Sequence, residues 1–349
     1  MGNMINIVID TIGGDNGASV CVKGAVKGLE NNRHVKLFLV GHKSEIDSLL
    51  EEYEYDNNRI EVVNATEEIS LNEAPVKAVR EKKDSSLVVG LNLLKEGKAD
   101  AFISAGSTGA ILAGGQFIVG RAKGVKRTPL AHVLPTAAEP SLLLDCGANM
   151  DVKPEVLHQF AQMGSIYMQE VCKVDNPRVA LANVGLEEEK GNAQVKAAYA
   201  LLKKDKSVNF VGSIEARGIP YGKADVIVCD GFVGNTIIKL YEGLSKVILR
   251  EIKGAFLSSF SSKMGAILVK KSMKKTLKKF DASDKGGAPL LGLKGLVVKI
   301  HGNSKEMEVI SAIDQCVSFV KNDVSGKIIK GIENSEDFDI LKSEYTFRE

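Results

Sequence analysis

Residues 228–240 read VCDGFVGNTIIKL. The apolar run 226–229 stops at Asp230, glycine-punctuated residues follow, and then apolar residues recur at helical spacing. This is the grammar of a strand that turns into a helix. It recurs along the chain. Residues 5–10 (INIVID) are followed by TIGGDNG and a helical pattern from Ala18, and residues 35–40 by a helical pattern from about Ser44. Residues 101–104 lead into AGSTG and AILAGGQFIVG, and residues 141–145 end in CGAN before Pro154 opens a long amphipathic stretch. Residues 178–182 end in NVG before a helix from about Asn192, and residues 295–300 precede HGNS and a final helix over 305–321. Such alternation predicts an α/β fold: a mostly parallel sheet with helices on both faces.

In such sheets ligands bind beyond the carboxyl ends of strands. Glycine there lets backbone N–H groups approach a ligand, and helix N-termini present unpaired N–H groups to an anion. Five turns have this character, 13–17, 106–109, 146–149, 183–192 and 231–235, and all are rich in Asp, Asn, Ser or Thr. They are expected to share an anion-binding pocket.

The bulk numbers exclude several classes. The chain has 349 residues, 44% of them hydrophobic, enough for a large packed core. A net charge of +2 argues against a general nucleic-acid binder, and the absence of Trp against a stacking platform for single strands. Cys21, Cys146, Cys172, Cys229 and Cys316 form no CxxC pair, which fits a reduced, cytoplasmic protein. The first residues carry no signal-peptide pattern, and no apolar run is long enough to span a membrane.

The turns also discriminate among chemistries. TIGGDNG supplies only part of a dinucleotide fingerprint, and neither a Walker loop nor G-x-S-x-G occurs. Among the histidines only His301 follows a strand end. Cys146 and Cys229 each abut an Asp with no His or Lys alongside to lower the thiol pKa, so they read as buried strand residues. Asp10, Asp15, Asp145 and Asp230 could converge on Mg²⁺, yet Asp at such places also caps helices and braces turns. No metal and no cofactor is therefore expected. What remains is anion binding by helix N-termini, by the side chains of Ser104, Ser107, Thr108 and Asn235, and by one cation, for which Lys190 in LEEEKGN is the best placed.

Seven segments occur in order: IDTIGGD (9–15), SAGSTGA (104–110), LLLDCGANMDVKPE (142–155), EEEKGN (187–192), KADVIVCDGFVGN (223–235), GGAPLLG (286–292) and HGNS (301–304). Together they closely resemble the PlsX family of bacterial phosphate acyltransferases, over about residues 5–330. The departures are small: DTIGGD where the family has DAMGGD, and HGNS where HGSS is common. The resemblance implies a reaction between acyl-[acyl carrier protein] and inorganic phosphate that yields acyl phosphate. A membrane glycerol-3-phosphate acyltransferase would use the product in phospholipid synthesis. It also implies a homodimer with a fold similar to that of the isocitrate and isopropylmalate dehydrogenases and the phosphate acetyltransferases, without nicotinamide.

On that reading Lys190 and Asn235 are the central catalytic pair. Ser104, Gly106, Ser107, Thr108 and Gly109 bind phosphate. Asp10, Asp15, Asp145, Asn149 and Asp230 brace the turns or orient Lys190. Residues 1–333 form one α/β catalytic domain, or two subdomains around a central cleft, and 334–349 a charged tail. Coenzyme A thioesters as donors, or a non-catalytic membrane-surface scaffold, are the alternatives.

One stretch stands apart. Residues 252–280 hold eight lysines and no acid. Lys271, Lys274, Lys275 and Lys278 share a helical face, near the apolar Phe256, Leu257 and Phe260. This basic amphipathic hairpin is expected to protrude and to meet an anionic membrane surface, the acidic carrier protein or the dimer partner. The resemblance favours a cytoplasmic protein peripherally associated with the membrane.

Overall fold

Apolar, β-branched runs become strands, and most are followed by a helix. In the computed structural model, which describes residues 4–278 and 286–334, β1 (Ile5–Asp10) leads to α1 (Gly17–Asn31) and β2 (Val35–Gly41) to α2 (Lys43–Leu50). β3 (Ile60–Asn64) precedes α3 (Pro75–Glu81) and α4 (Ser86–Lys95). β4 (Ala101–Ser104) precedes α5 (Thr108–Gly114), which continues as a π-helical turn over Gly115–Val119. β5 (His132–Leu134) and β6 (Ser141–Leu144) come before α6 (Pro154–Glu170), and β7 (Arg178–Asn183) before α7 (Ala193–Lys204). β8 (Asn209–Glu215) and β9 (Val226–Val228) are followed by α8 (Gly231–Leu257) and α9 (Phe260–Lys278). β10 (Ala288–Leu290), β11 (Leu296–Lys299), α10 (Glu306–Lys321) and α11 (Val324–Glu333) close the described chain.

Local chemistry fixes many of the helix starts. Pro75 and Pro154 open α3 and α6, where a missing N–H costs nothing. The side chains of Ser85, Asn192 and Asp230 accept from the backbone N–H three residues on and so cap α4, α7 and α8.

The strands form two sheets. One is ordered β10-β11-β4-β1-β2-β3 and the other β5-β6-β9-β7-β8. All pairings are parallel except β10 with β11 and β5 with β6. The expected single sheet is therefore two, each ending in an antiparallel edge strand, and these edges meet. Leu130 bridges Leu290, the Ala131 N–H donates to the Pro289 carbonyl at 3.0 Å, and the Leu291 N–H to the Pro129 carbonyl at 3.1 Å.

Residues alternate between two apolar layers that run through both sheets. One layer holds Ile7, Ile9, Ile103 and Val298 with Leu142 and Leu144. The other holds Val8, Phe102 and Val297 with Leu143, Ile227 and, from the helices, Ala110, Ile111 and Ile238.

Some elements depart from the sequence reading. GGAPLLG, to which the sequence assigns no element, contains β10; Pro289 is tolerated because this is an edge strand and its carbonyl still accepts a bond. The helix over 305–321 is followed by another, α11. The stretch 231–235, read as a turn, is already the first turn of α8, because Asp230 caps at the end of β9. α8 runs on to Leu257, so 252–257 finish a 27-residue helix, and α9 packs on α8. Phe280 of the basic stretch, the Lys278 side chain and the tail beyond Asn334 lie outside the described residues. No helix among the described residues is long and apolar enough to cross a membrane.

Candidate active site

Two sets of turns lie beyond the carboxyl ends of the parallel strands. The first follows the neighbours β1, β4 and β11. Asp10, 2% exposed, accepts from the Ile12 and Gly13 N–H groups at 3.2 and 3.1 Å and from the Ser104 hydroxyl at 2.7 Å. Ser104 in turn accepts from the Gly106 N–H at 3.0 Å. Its proton and a lone pair are thus spent on bracing Asp10 and the Gly106 turn. Gly13 and Gly14 let this turn lie against Gly106 and Ala105, where a Cβ would collide. The Asp15 N–H donates to the Gly302 carbonyl at 2.7 Å and the Asn16 side chain to the Ser304 carbonyl at 2.9 Å, tying HGNS to the same cluster. Asp15 itself turns an exposed carboxylate over Gly302. At the start of α5 the hydroxyls of Ser107 and Thr108 have no hydrogen-bond partner among the described residues, and Gly109 sits against Pro75.

The second set follows β6, β9 and β7, again neighbours. Asp145 is fully buried. It accepts from the N–H groups of Leu130, Gly147, Ala148 and Asn149, at 3.0, 3.2, 3.1 and 2.7 Å, and from the Asn149 amide at 2.8 Å. Burial pushes its carboxyl above the ordinary value against the pull of these donors. Asn149 also donates to the Thr128 carbonyl at 2.9 Å and accepts from the Gly231 N–H at 2.7 Å. The first turn of α8 lies directly on this loop: a Cβ at Gly231 would meet the Asn149 backbone, and one at Gly234 the Asp145 carbonyl. The two glycines share a helix face and bring the backbones together. Asn235, next to that face, is exposed, lies against Gly147, and has an amide uncommitted among the described residues. Asp230 is a helix cap, its Oδ1 accepting from the Val233 N–H at 2.8 Å.

Lys190 stands in the exposed loop after β7, the strand beside β9. Asn183, at the strand end, donates to the Lys190 carbonyl at 3.1 Å and to the Ser213 hydroxyl at 3.2 Å, which anchors the loop. Among the described residues the Lys190 ammonium has no hydrogen-bond or ion-pair partner. The shared pocket expected from the five turns thus resolves into two knitted sets. Among the described residues no hydrogen bond joins one set directly to the other.

The thiols and aspartates have structural duties. Cys146 and Cys229 are buried, and burial pushes both thiols well up from their ordinary value. Their sulfurs donate to the Leu143 and Asp145 carbonyls. Asp10, Asp145 and Asp230 each spend oxygens on N–H donors, and no group of three metal-ligating side chains comes together among the described residues.

Two basic residues absent from the sequence-level set lie on the sheet face that carries α5 and α8. Lys299 is opposite Ser104 in the β4–β11 pairing, and His132 is opposite Leu143 on β5. Lys299 left a faint signal in the sequence: it breaks the apolar run GLVVKI just before HGNS.

The basic stretch presents a broad apolar surface. Phe256 is half-buried, Leu257, Phe260, Ile267 and Leu268 are exposed, and Lys271, Lys274 and Lys275 face solvent. The apolar exposure extends back along α8 through Leu240, Leu244 and Ile248.

Comparison with known proteins supplies what geometry does not. A family profile described as "Fatty acid synthesis protein" matches residues 5–327. The phosphate acyltransferase of Alkaliphilus oremlandii is 47% identical over 333 residues, covering 95% of this chain and 99% of that one. The phosphate acyltransferase of Clostridium acetobutylicum is 46% identical over 327 residues, covering 94% and 98%. Among solved structures, a phosphotransacetylase from Streptococcus pyogenes superposes with a TM-score of 0.62 at 18% identity, covering 91% of this chain and 94% of that one. A branched-chain phosphotransacylase from Enterococcus faecalis does so with 0.56 at 14%, covering 91% and 99%. At those identities the structural likeness speaks to fold.

Proposed function

The chain belongs to the PlsX family of phosphate acyltransferases, and from that premise we propose that it transfers the acyl group of acyl-[acyl carrier protein] to inorganic phosphate. The acyl phosphate then feeds phospholipid synthesis through a membrane glycerol-3-phosphate acyltransferase. The observation that carries the reading is the seating of α8. Gly231 and Gly234 press its first turn onto the loop of Asp145, and this holds Asn235 at the strand ends with its amide unused among the described residues.

Phosphate near neutral pH is a competent oxygen nucleophile and a thioester an activated acyl donor. The protein has to bring them together and stabilise the tetrahedral oxyanion. Asn235 donates its amide N–H to that oxyanion. Lys190, unpaired among the described residues after the neighbouring strand, holds phosphate or the developing negative charge. Ser107, Thr108 and the backbone of 106–109 receive phosphate oxygens. The thiolate of the carrier leaves as the carbonyl reforms, so the acyl group passes directly and needs no cysteine. The rigid bracing of Asp10, Asp145 and Asn149 supports preorganisation of this kind.

The exposed helices supply a further part of the reading. Leu240, Leu244 and Ile248 recur at helical spacing and suit a second copy of the chain. The exposed apolar side chains of α9, with the lysines farther along the same helix, suit an anionic membrane surface, where each lysine contributes roughly 1 kcal/mol.

The test is phosphate-dependent release of free carrier protein from palmitoyl-carrier protein, with acyl phosphate trapped as a hydroxamate. Release and trapping that both require phosphate are expected. Release without acyl phosphate would make the protein a thioesterase, and turnover only with coenzyme A thioesters would replace the carrier. Binding to membranes without turnover of either donor would leave a scaffold.

A further inference from the structure

Sheet register places a polar row across the middle of the molecule. Asp10 follows Ile9, which is opposite Ile103, so Asp10 stands opposite Ser104; Ser104 is opposite Lys299, and Lys299 opposite Ala288. The antiparallel bridge of Leu290 with Leu130 puts Ala288 opposite His132. The small Ala288 separates Lys299 from His132, their backbones two strand spacings or about 10 Å apart. The row points to the layer that holds Ala110 and Ile111 of α5 and Ile238 of α8. α5 packs against β11, and Lys239 and Glu242 of α8, ion-paired at 3.2 Å, act on both Lys299 and His132. His301 acts on His132 from the HGNS side.

Lys299 is conspicuous in this setting. Its ammonium donates to the Ile300 carbonyl at 3.0 Å, and among the described residues it has no carboxylate at ion-pair distance. Burial, with Lys239 nearby, pulls its pKa below the ordinary value. The Tyr241 hydroxyl, beside Glu242 on the same helix, is buried without a partner among the described residues. A mostly buried lysine whose ammonium meets only a backbone carbonyl, with Lys239 nearby and Glu242 beyond ion-pair distance, keeps two N–H donors unused among the described residues and can take a further anion.

We propose that Lys299 is a phosphate-binding residue of the active site, set by strand register between the helix that begins at Thr108 and the helix that carries Asn235. The assignment rests on the phosphate acyltransfer reading and adds a cation to it. Lys299 contacts the phosphate oxygens from the sheet, with the Ile300 carbonyl fixing its ammonium. His132 stands beyond Ala288 in the same row.

The experiment measures inorganic phosphate binding by the full-length protein, through phosphate-dependent melting temperature and titration calorimetry, in Lys299→Met, Lys299→Gln and Lys299→Arg. Loss of a charge-assisted contact should weaken phosphate binding about tenfold or more in the neutral variants, with partial rescue by arginine. In turnover the phosphate KM should rise by the same factor while the acyl-donor KM stays put. Either neutral variant, folded and binding phosphate like the parent, overturns the assignment. A parent protein that binds phosphate through Lys299 but forms no acyl phosphate would sink the acyltransfer reading and leave the phosphate site standing.

Discussion

Gly234 and Asp145 are in such close contact that a Cβ on residue 234 would overlap the Asp145 carbonyl oxygen. The first turn of α8 therefore seats on the end of β6 only because residue 234 has no side chain, and that seating positions Asn235. Gly234→Ala should push the helix start away, at a cost of about 1–3 kcal/mol of stability from overpacking, and turnover should fall with it. Asn235→Ala removes only the donor. It should lose about 10²–10³ in turnover with an unchanged melting temperature. Acyl phosphate formation and thermal melts on both variants separate the two effects. An active Asn235→Ala protein would remove the amide from the mechanism.

Much of this geometry could be read from sequence because it is local. Asp230, Gly231, Gly234 and Asn235 are near neighbours in the chain, so cap, contact face and candidate amide share one short stretch. The same holds for Asp10 with Gly13, and for Asp145 with Asn149. What escaped is what depends on pairing between distant strands. The bracing role of Ser104 emerges only when β4 is placed beside β1 and its hydroxyl goes to Asp10. Lys299 and His132 become a pair only when two antiparallel edges meet across Ala288. β5 and β10 are three residues each, too short to declare a period. The basic stretch is set apart at residue 252 by its lysine-rich, acid-free composition, which does not mark a helix end, and α8 runs on to Leu257.

Direct transfer predicts that thiol reagents leave the enzyme active. Cys21, Cys146, Cys229 and Cys316 are buried with thiols raised by desolvation, that of Cys21 to about 12, whereas Cys172 is exposed. Iodoacetamide on the native protein should modify Cys172 alone, as read by mass spectrometry, with turnover retained. Inactivation that tracks alkylation of Cys146 or Cys229 would reopen an acyl-cysteine route.

Burial pulls His132 down to about 4, against the partial support of Glu242 and with Lys299, His301 and Lys239 reinforcing it. The folded state therefore keeps this imidazole neutral where the unfolded chain, with a pKa near 6.5, would protonate it. Between about pH 4 and 6.5 the unfolded state binds more protons, so stability rises with pH across that window and this contribution is complete above it. The group accounts for at most about 3 kcal/mol of the change. His132→Gln should flatten the rise in urea-denaturation stability over that range. A variant with the parent's slope would show that His132 does not titrate between the two states.

The exposed tip of the α8–α9 pair makes the membrane reading testable apart from catalysis. Phe260 and Leu268 are each 82% exposed, a cost in water that a lipid surface would relieve, and lysines 271, 274 and 275 lie along the same helix. The protein should float with vesicles rich in anionic lipid at low salt and release at high salt, since screening removes the lysine contribution. Phe260→Asp with Leu268→Asp should abolish flotation while turnover of soluble acyl-carrier protein persists. Leu244→Asp with Ile248→Asp tests the middle of α8. If that face meets a second copy, gel filtration should show the species halved in mass, with lipid binding weakened through lost avidity. Flotation unchanged by the tip substitutions would assign these side chains to the carrier protein or to the partner chain, and carrier affinity measured on the same variant would distinguish those two.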